Sequence, residues 1–190
     1  GVQTCALPIW RKERVSEIIE IDDTLQLRAV EECHVAGLYQ LVCKNKAWLM
    51  QFFDWPQYVN TEEDTRKTVQ GNMMLHQRDY AKMFLIFAGE EMLGVLSFNQ
   101  IEPLNKAAYI GYWIDETQQG KGILSRALQA FIHHYAGRGE IRRFVIKCRV
   151  KNQASNQVAQ RNGFELEGCL KQAEFLNGHY DDVNLYARII

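Results

Sequence analysis

The chain has 190 residues and a mass of 22.1 kDa, enough for one domain with a sizeable core. Hydrophobic residues make up 47% and charged ones 24%, the balance of an ordinary soluble globular protein. A net charge of −1 argues against bulk nucleic-acid binding, and no apolar run approaches the roughly 20 residues of a membrane span. Neither direct nucleic-acid contact nor membrane insertion is expected.

Cys5, Cys33, Cys43, Cys148 and Cys169 form no CxxC pair, and the histidines show no HExxH spacing. Buried free thiols in a reducing cytoplasm are therefore expected, with no metal site. Residues 1–15, "GVQTCALPIWRKERV", lack periodicity and resemble the translation of a sequencing adaptor. Their basic residues follow the apolar run, unlike a secretory signal. The segment is expected to stand apart from a single domain over residues 16–190, with Ile9 and Trp10 outside its core.

"EIIEIDDTLQLRAV" predicts two short strands around an Asp-Asp turn, and "EECHVAGLYQLVCKNKAWLMQF" a helix that breaks before Trp55-Pro56. Asn60-Thr61-Glu62-Glu63 reads as a cap opening a second helix through about Gln77. "AKMFLIFA", "EMLGVLSFNQI" and "AAYIGYWID" predict an antiparallel meander. A loop, a helix to about Ala136 and the strand "RRFVIKCRV" follow, then a short helix from Ala154 to Asn162 that stops at Gly163. Asn177-Gly178 between "CLKQAEFL" and "YDDVNLYARII" signals a type I′ hairpin. The expected fold class is α+β: a mixed, mostly antiparallel central sheet with helices on both faces.

The loop Gln119-Gly120-Lys121-Gly122 between strand and helix carries the chemistry. It is no Walker loop, because Gly122 stands where a metal-binding Ser or Thr is required. It is no dinucleotide fingerprint either, since Ser125 takes the third glycine position. Side-chain-free positions at Gly120 and Gly122, with free amides from Gly120 to Leu124 at a helix start, suit a diphosphate. No carboxylate cluster suggests magnesium, so a carried diphosphate, as in coenzyme A, fits better than a hydrolysed triphosphate.

Strand, QxxGxG-like loop, helix, strand and "NQASNQVAQRNGF" together resemble the GCN5-related N-acetyltransferases over residues 17–190. "NKAWL", "DWPQYV", "AAYIGYWID" and "LNGHYDDVNLYA" resemble the RimJ/RimL branch. Leu124 departs from the Gly or Ala of many members, which narrows the turn and leaves its amides available. The resemblance implies acetyl-CoA as cosubstrate, held by Gln119, Gly120, Lys121, Gly122, Ile123, Leu124 and Ser125. It implies that Tyr112, Trp113 and Ile114 border the thioester, with backbone N–H groups as an oxyanion hole. Asn152 would bond the pantetheine arm, or cap a helix. The branch implies a cytoplasmic enzyme acting on the N-terminus of a ribosomal stalk protein, and leaves room for a homodimer.

Many family members place a Tyr seven residues after that Asn to protonate sulfur; here the position is Ala159. Ser155, four residues earlier on the same helical face, is the substitute acid, with helix capping as its other reading. Glu174, mid-strand among apolar neighbours that would raise its pKa, is the candidate base. Asp182 and Tyr180 on the partner strand are weaker candidates. "WLMQFFDWPQYV" reads as a satellite core cluster first and an acceptor wall second. An α-amine, with a pKa of about 7.7–8.0 against about 10.4 for lysine, asks little of a base. The acceptor stays open between a protein N-terminus and small amines such as aminoacylated toxins, antibiotics or polyamines. A catalytically silent acyl-CoA-binding module is the third reading, because the usual Tyr is missing.

Overall fold

The apolar runs become eight strands of one sheet in a computed structural model that describes residues 17–190. The expectation for residues 1–15, including Ile9 and Trp10, lies outside the described residues. Two strands, β1 (Ile18–Glu20) and β2 (Leu25–Ala29), precede the helices α1 (Val35–Leu49) and α2 (Glu62–Gln77). The meander is β3 (Lys82–Ala88), β4 (Glu91–Glu102) and β5 (Ala107–Ile114). Then come α3 (Ile123–Gly137), β6 (Arg143–Arg149), α4 (Gln153–Arg161), β7 (Glu165–Leu176) and β8 (His179–Ile189). The spatial order is β1-β2-β3-β4-β5-β6-β8-β7, and every neighbouring pair is antiparallel except β5 and β6. The α+β expectation holds.

Local chemistry sets the boundaries. Asp22 accepts from the backbone N–H groups of Thr24 and Leu25 at 2.8 and 3.0 Å, closing the predicted Asp-Asp turn. Thr61 caps α2 in a capping box, with the Asp64 carboxylate accepting from Thr61 N–H at 2.9 Å. Alternation along the strands then divides the apolar residues between two cores. Leu27, Phe84, Leu96 and Phe98 face α3, where Phe98 stacks on Phe131 at 4.1 Å between ring centroids. Leu85, Val95 and Trp113 face the other way, against α1 and Val69 of α2.

The cysteine expectation needs correction. Four thiols are described and all are free, but Cys33, Cys43 and Cys169 are exposed and only Cys148 is buried. Cys43 lies on the exposed side of α1, Cys33 in the turn before it and Cys169 on β7, positions that each face solvent. Outside the central sheet, the ligating atoms of Glu31, Cys33 and His34 lie within 4.8 Å of one another. His34 Nδ1 there accepts from Glu31 N–H at 3.0 Å, serving the turn before α1.

A polar tie closes the edge of the fold. The Glu17 carboxylate bonds His76 of α2 at 2.9 Å, His134 of α3 at 3.2 Å and the Tyr135 hydroxyl at 3.1 Å. Burial pushes that carboxyl up, but the hydrogen bonds from His76 and Tyr135 and the charges of His76 and Lys82 outweigh it. The result is a pKa lowered from 4.5 to about 2. A depressed carboxylate stabilises fully above its unfolded pKa and loses that contribution as pH falls toward the folded one. Glu17→Gln is therefore expected to cost about 1–3 kcal/mol at pH 7. In urea unfolding the gap between variant and wild type should close between pH 4.5 and about 2. A gap independent of pH would show that the tie is not carried by the carboxylate charge.

Candidate active site

The parallel pair at the centre of the sheet opens a gap. β5 and β6 stay in register from Ala107↔Arg143 to Ile110↔Ile146 and no further. Beyond that point β5 remains paired with β4 as far as Ile114↔Gly94, and β6 with β8 as far as Arg149↔Val183. The facing peptide groups of the two strands therefore lack a ladder partner, and such groups require a polar partner of another kind. Tyr112, Trp113 and Ile114 border a cleft there of about 220 Å³. Gln119, Leu124, Asn152, Ser155 and Glu174 line it too.

At the cleft's end the chain leaves β5 through Asp115, which accepts from Thr117 N–H at 3.0 Å and pairs with Lys44 of α1 at 2.7 Å. Asn45 of the same helix accepts from Glu116 N–H at 3.0 Å, so α1 fixes where the loop begins. Gly120 and Gly122 then adopt φ of +75° and +71°, the left-handed region that favours glycine. A Cβ added at either would meet nothing within 4 Å, so open space lies over this backbone. Gly122 is the N-cap of α3, and its carbonyl accepts from Arg126 N–H at 3.1 Å. The amides of Ile123, Leu124 and Ser125 are thus the unsatisfied donors of a helix start, where the dipole favours an anion. These residues fit a diphosphate.

Ile123 can serve it only through its backbone, whereas Ser125 keeps its hydroxyl proton free as well. The Ile123 side chain is buried in the core, and Ser125 Oγ accepts from Asn162 at 3.1 Å. Lys121 is exposed, with Nζ 3.1 Å from Gln118 Oε1. Gln119 reaches back to the Ile114 carbonyl at 3.5 Å.

Asn152 is the N-cap of α4, accepting from Ser155 N–H at 3.2 Å. Ser155 is therefore not the cap, and its hydroxyl lies 2.8 Å from that of Tyr112. Burial holds the Tyr112 phenol well above its ordinary pKa, so it stays protonated. Burial likewise raises the Cys148 thiol, which lines the same cleft. Ala159 leaves no empty space for Ser155 to reach into, because it is fully buried against the core. Ser155 faces the cleft on its own.

Glu174 arrives by a bulge. Between Leu170↔Val183 and Glu174↔Asp181, β7 advances four residues while β8 advances two. Gln172 takes φ +47° within this bulge, and its N–H donates to Asp182 at 2.9 Å. Such a bulge re-aims the side chains beyond it. Glu174 is half-buried, and burial raises its pKa; the Arg149 guanidinium at 3.6 Å pulls it back, and Asp181 adds to the rise. Asp182 holds the bulge and pairs with Lys171 at 3.1 Å, while Tyr180 is exposed against Phe175. Neither of these two weaker candidates lines the cleft.

Sequence reasoning missed several contributors. The Tyr112–Ser155 contact joins β5 to α4 and has no sequence signature. Arg149 donates to the Gln51 carbonyl at 2.8 Å and pairs with Asp181 at 3.3 Å, fastening β6 to the end of α1. The aromatics after α1 wall clefts rather than only filling a satellite core. Trp48, Phe52 and Phe53 line the first cleft, and Phe53 and Trp55 a second cavity of about 330 Å³ on the α1–α2 side.

The family described as "Acetyltransferase (GNAT) domain" matches residues 24–165. This chain belongs to the GNAT acetyltransferase family. It is 70% identical over 176 residues to the ribosomal-protein-serine acetyltransferase of Escherichia coli strain K12, covering 93% of this chain and 98% of that one. A solved structure of RimL, the ribosomal L7/L12 alpha-N-protein acetyltransferase in complex with coenzyme A, superposes with a TM-score of 0.90 at 70% identity. The match covers 92% of this chain and 98% of that one. The microcin C7 self-immunity acetyltransferase MccE, in complex with acetyl-CoA and AMP, superposes with a TM-score of 0.87 at 39% identity, over 90% and 94% of the two chains. As a GNAT member this chain is an acetyl-CoA-dependent acetyltransferase.

A backbone-driven phosphate site makes a sharp expectation. Gly122→Asn keeps a residue tolerant of positive φ, whereas Gly122→Asp adds a negative charge at the helix start. Gly122→Asp should weaken coenzyme A binding, measured by calorimetry, by at least about tenfold more than Gly122→Asn. Lys121→Ala should change it less than either. Equal affinities for the Asp and Asn variants would remove the loop from the diphosphate site.

Proposed function

We propose that this protein transfers acetyl from acetyl-CoA to the N-terminal α-amine of a ribosomal stalk protein, by direct attack within the cleft between β5 and β6, in the cytoplasm. What carries the reading is 70% identity over nearly the whole chain to an enzyme acting on ribosomal-protein serine, joined to a cleft with matching chemistry. The glycine loop holds the pyrophosphate, Asn152 the pantetheine arm, and backbone N–H groups of residues 112–114 the thioester oxygen.

Two side chains manage the protons. Glu174, raised by burial and moderated by Arg149, removes the amine proton directly or through water. The amine nitrogen bonds to the acetyl carbon and the carbon–sulfur bond breaks. The Ser155 hydroxyl donates a hydrogen bond to the departing thiolate, which then takes up the proton released by the amine. Tyr112, protonated and 2.8 Å away, supports that hydroxyl. A small aminoacyl acceptor is the second reading, favoured by the 39% identical enzyme whose structure holds AMP.

An acetyl-CoA turnover assay decides between them. Peptides carrying a stalk-protein N-terminus are expected to be acetylated with far higher kcat/KM than aminoacyl nucleotides or polyamines. The reverse preference would favour the second reading, and no turnover at all would leave a silent binding module. Within the same assay, Glu174→Gln should lower kcat by about 10²-fold at neutral pH, a deficit that shrinks above the amine pKa of about 8. Ser155→Ala should instead show a loss that persists at high pH and shrinks with a better thiol leaving group. Full activity in both variants would assign the reaction to positioning and backbone amides alone.

A further inference from the structure

Asn99 in β4 has no part in the steps above, yet its placement is unusual. Between Phe98↔Ile110 and Gln100↔Tyr109, β4 advances two residues while β5 advances one, so Asn99 is the extra residue of a bulge. Ser97, two residues before it, is buried; its hydroxyl donates to Asn99 Oδ1 at 2.7 Å and lies 3.3 Å from the Gly111 carbonyl. That bond orients the amide and leaves its Nδ2 donor, on a side chain exposed in the free protein, without a protein partner among the described residues. The amide also lies against Gly111. A Cβ at that position would stand 2.4 Å from Asn99 Nδ2, so glycine is what lets the two strands hold the amide there.

The amide occupies the junction of two cavities. Phe53, Asn99, Gly111, Tyr112 and Trp113 line both the cofactor cleft and the cavity on the α1–α2 side. Of these, Asn99 offers a free polar group, since the Tyr112 hydroxyl is held by Ser155. Across the second cavity two of the three polar α2 side chains that line it turn back on their own helix, with Thr65 the third: Thr68 Oγ1 donates to the Asp64 carbonyl at 3.3 Å, and Asn72 Nδ2 to the Thr68 carbonyl at 2.9 Å. Along β4, the lining passes from apolar Val95 through Ser97 to Asn99. In a serine, the hydroxyl oxygen lies only three bonds from the α-amine nitrogen. A group that reads it must stand beside the point of acyl transfer, and Asn99 lines the same cleft as Tyr112, Ser155 and Glu174.

We infer that Asn99 is a specificity-determining residue, donating its Nδ2–H to the side-chain hydroxyl of the acceptor's first residue, with Ser97 as the residue that positions it. This inference rests on the α-amine reading above. A site that hydrogen-bonds a substrate hydroxyl discriminates against the analogue lacking it, because the site's own polar group is then left unpaired.

The test compares two peptides that differ only in beginning with serine or alanine. The wild-type protein should prefer serine by about tenfold in kcat/KM. Asn99→Ala should bring that ratio close to one, chiefly through a higher KM for the serine peptide, with the KM for acetyl-CoA held. Ser97→Ala should reduce the ratio partway, because the amide is then free to turn. A ratio retained in Asn99→Ala, or an equal loss on both peptides, would overturn the role of Asn99. Failure of the wild-type protein to acetylate either peptide would overturn the α-amine reading itself, so the two failures are distinguishable.

Discussion

The parting of β5 from β6 is the constraint on which the rest of the molecule depends. Each strand keeps a full partner on its outer side, β4 for one and β8 for the other, and loses its inner partner beyond Ile110 and Ile146. A sheet normally closes such a gap, because unpaired peptide groups in a protein interior are costly. Here the gap is held open by contacts that bridge it at a distance. The Tyr112–Ser155 bond spans from β5 to α4, and Asn156 of α4 donates to the Arg149 carbonyl at 3.0 Å while accepting from Tyr186 of β8 at 2.8 Å. The strands cannot close without breaking this polar frame.

The acceptor wall and the phosphate loop share one support. α1 gives Leu38 and Val42 to the second cavity, Trp48 to the first, and Lys44 and Asn45 to the start of the loop. Buried Asn45 also donates to the Leu41 carbonyl at 3.0 Å, which fixes its amide so that Oδ1 faces Glu116 N–H. The β7–β8 hairpin meets the far end of the same helix, where Asn177 donates to the Met50 carbonyl at 3.2 Å. A rigid helix therefore sets the spacing between the glycine loop, the cleft and the hairpin that carries Glu174. Proximity effects demand that kind of rigidity, because small misplacements cost large factors in rate.

Most of the fold was legible because its signals are local. Thr61 before an acidic turn, Asn177-Gly178 between two strands and alternation through "AKMFLIFA" each specify an element from neighbouring residues alone. The loop from Gln119 to Gly122 was legible for the same reason: positive φ and free amides follow from glycines at a helix start. The hydroxyl pair of Tyr112 and Ser155 lies 43 residues apart in the chain and left no trace in either neighbourhood. Bulges were equally hidden. Periodicity places Asn99 and Glu174 on a strand, but only the register of the partner strand decides which face each one takes. Ala159 misled in the opposite direction, since its spacing from Asn152 suggested an empty place in the cleft where the structure has packed core.

The proposed replacement of one acid by two hydroxyls has a physical logic. A lone serine hydroxyl is a poor proton donor, and a lone buried phenol is no better placed when burial lifts its pKa. Together, 2.8 Å apart, they can form a chain: with the phenol as donor, the serine hydroxyl is free to donate onward. Chained donors polarise one another, and the effect is stronger in a site of low dielectric. The proton that reaches sulfur need not come from either hydroxyl, because a hydrogen bond from the pair would stabilise the departing thiolate until it takes up the proton released by the amine. On the opposite side the demand is equally small, since an α-amine near pH 8 is already half neutral. In the proposed mechanism Glu174, raised by burial but restrained by Arg149, would be a weak base matched to a weak requirement. A lysine acceptor would need a stronger one, and the arrangement of Arg149 beside Glu174 works against supplying it.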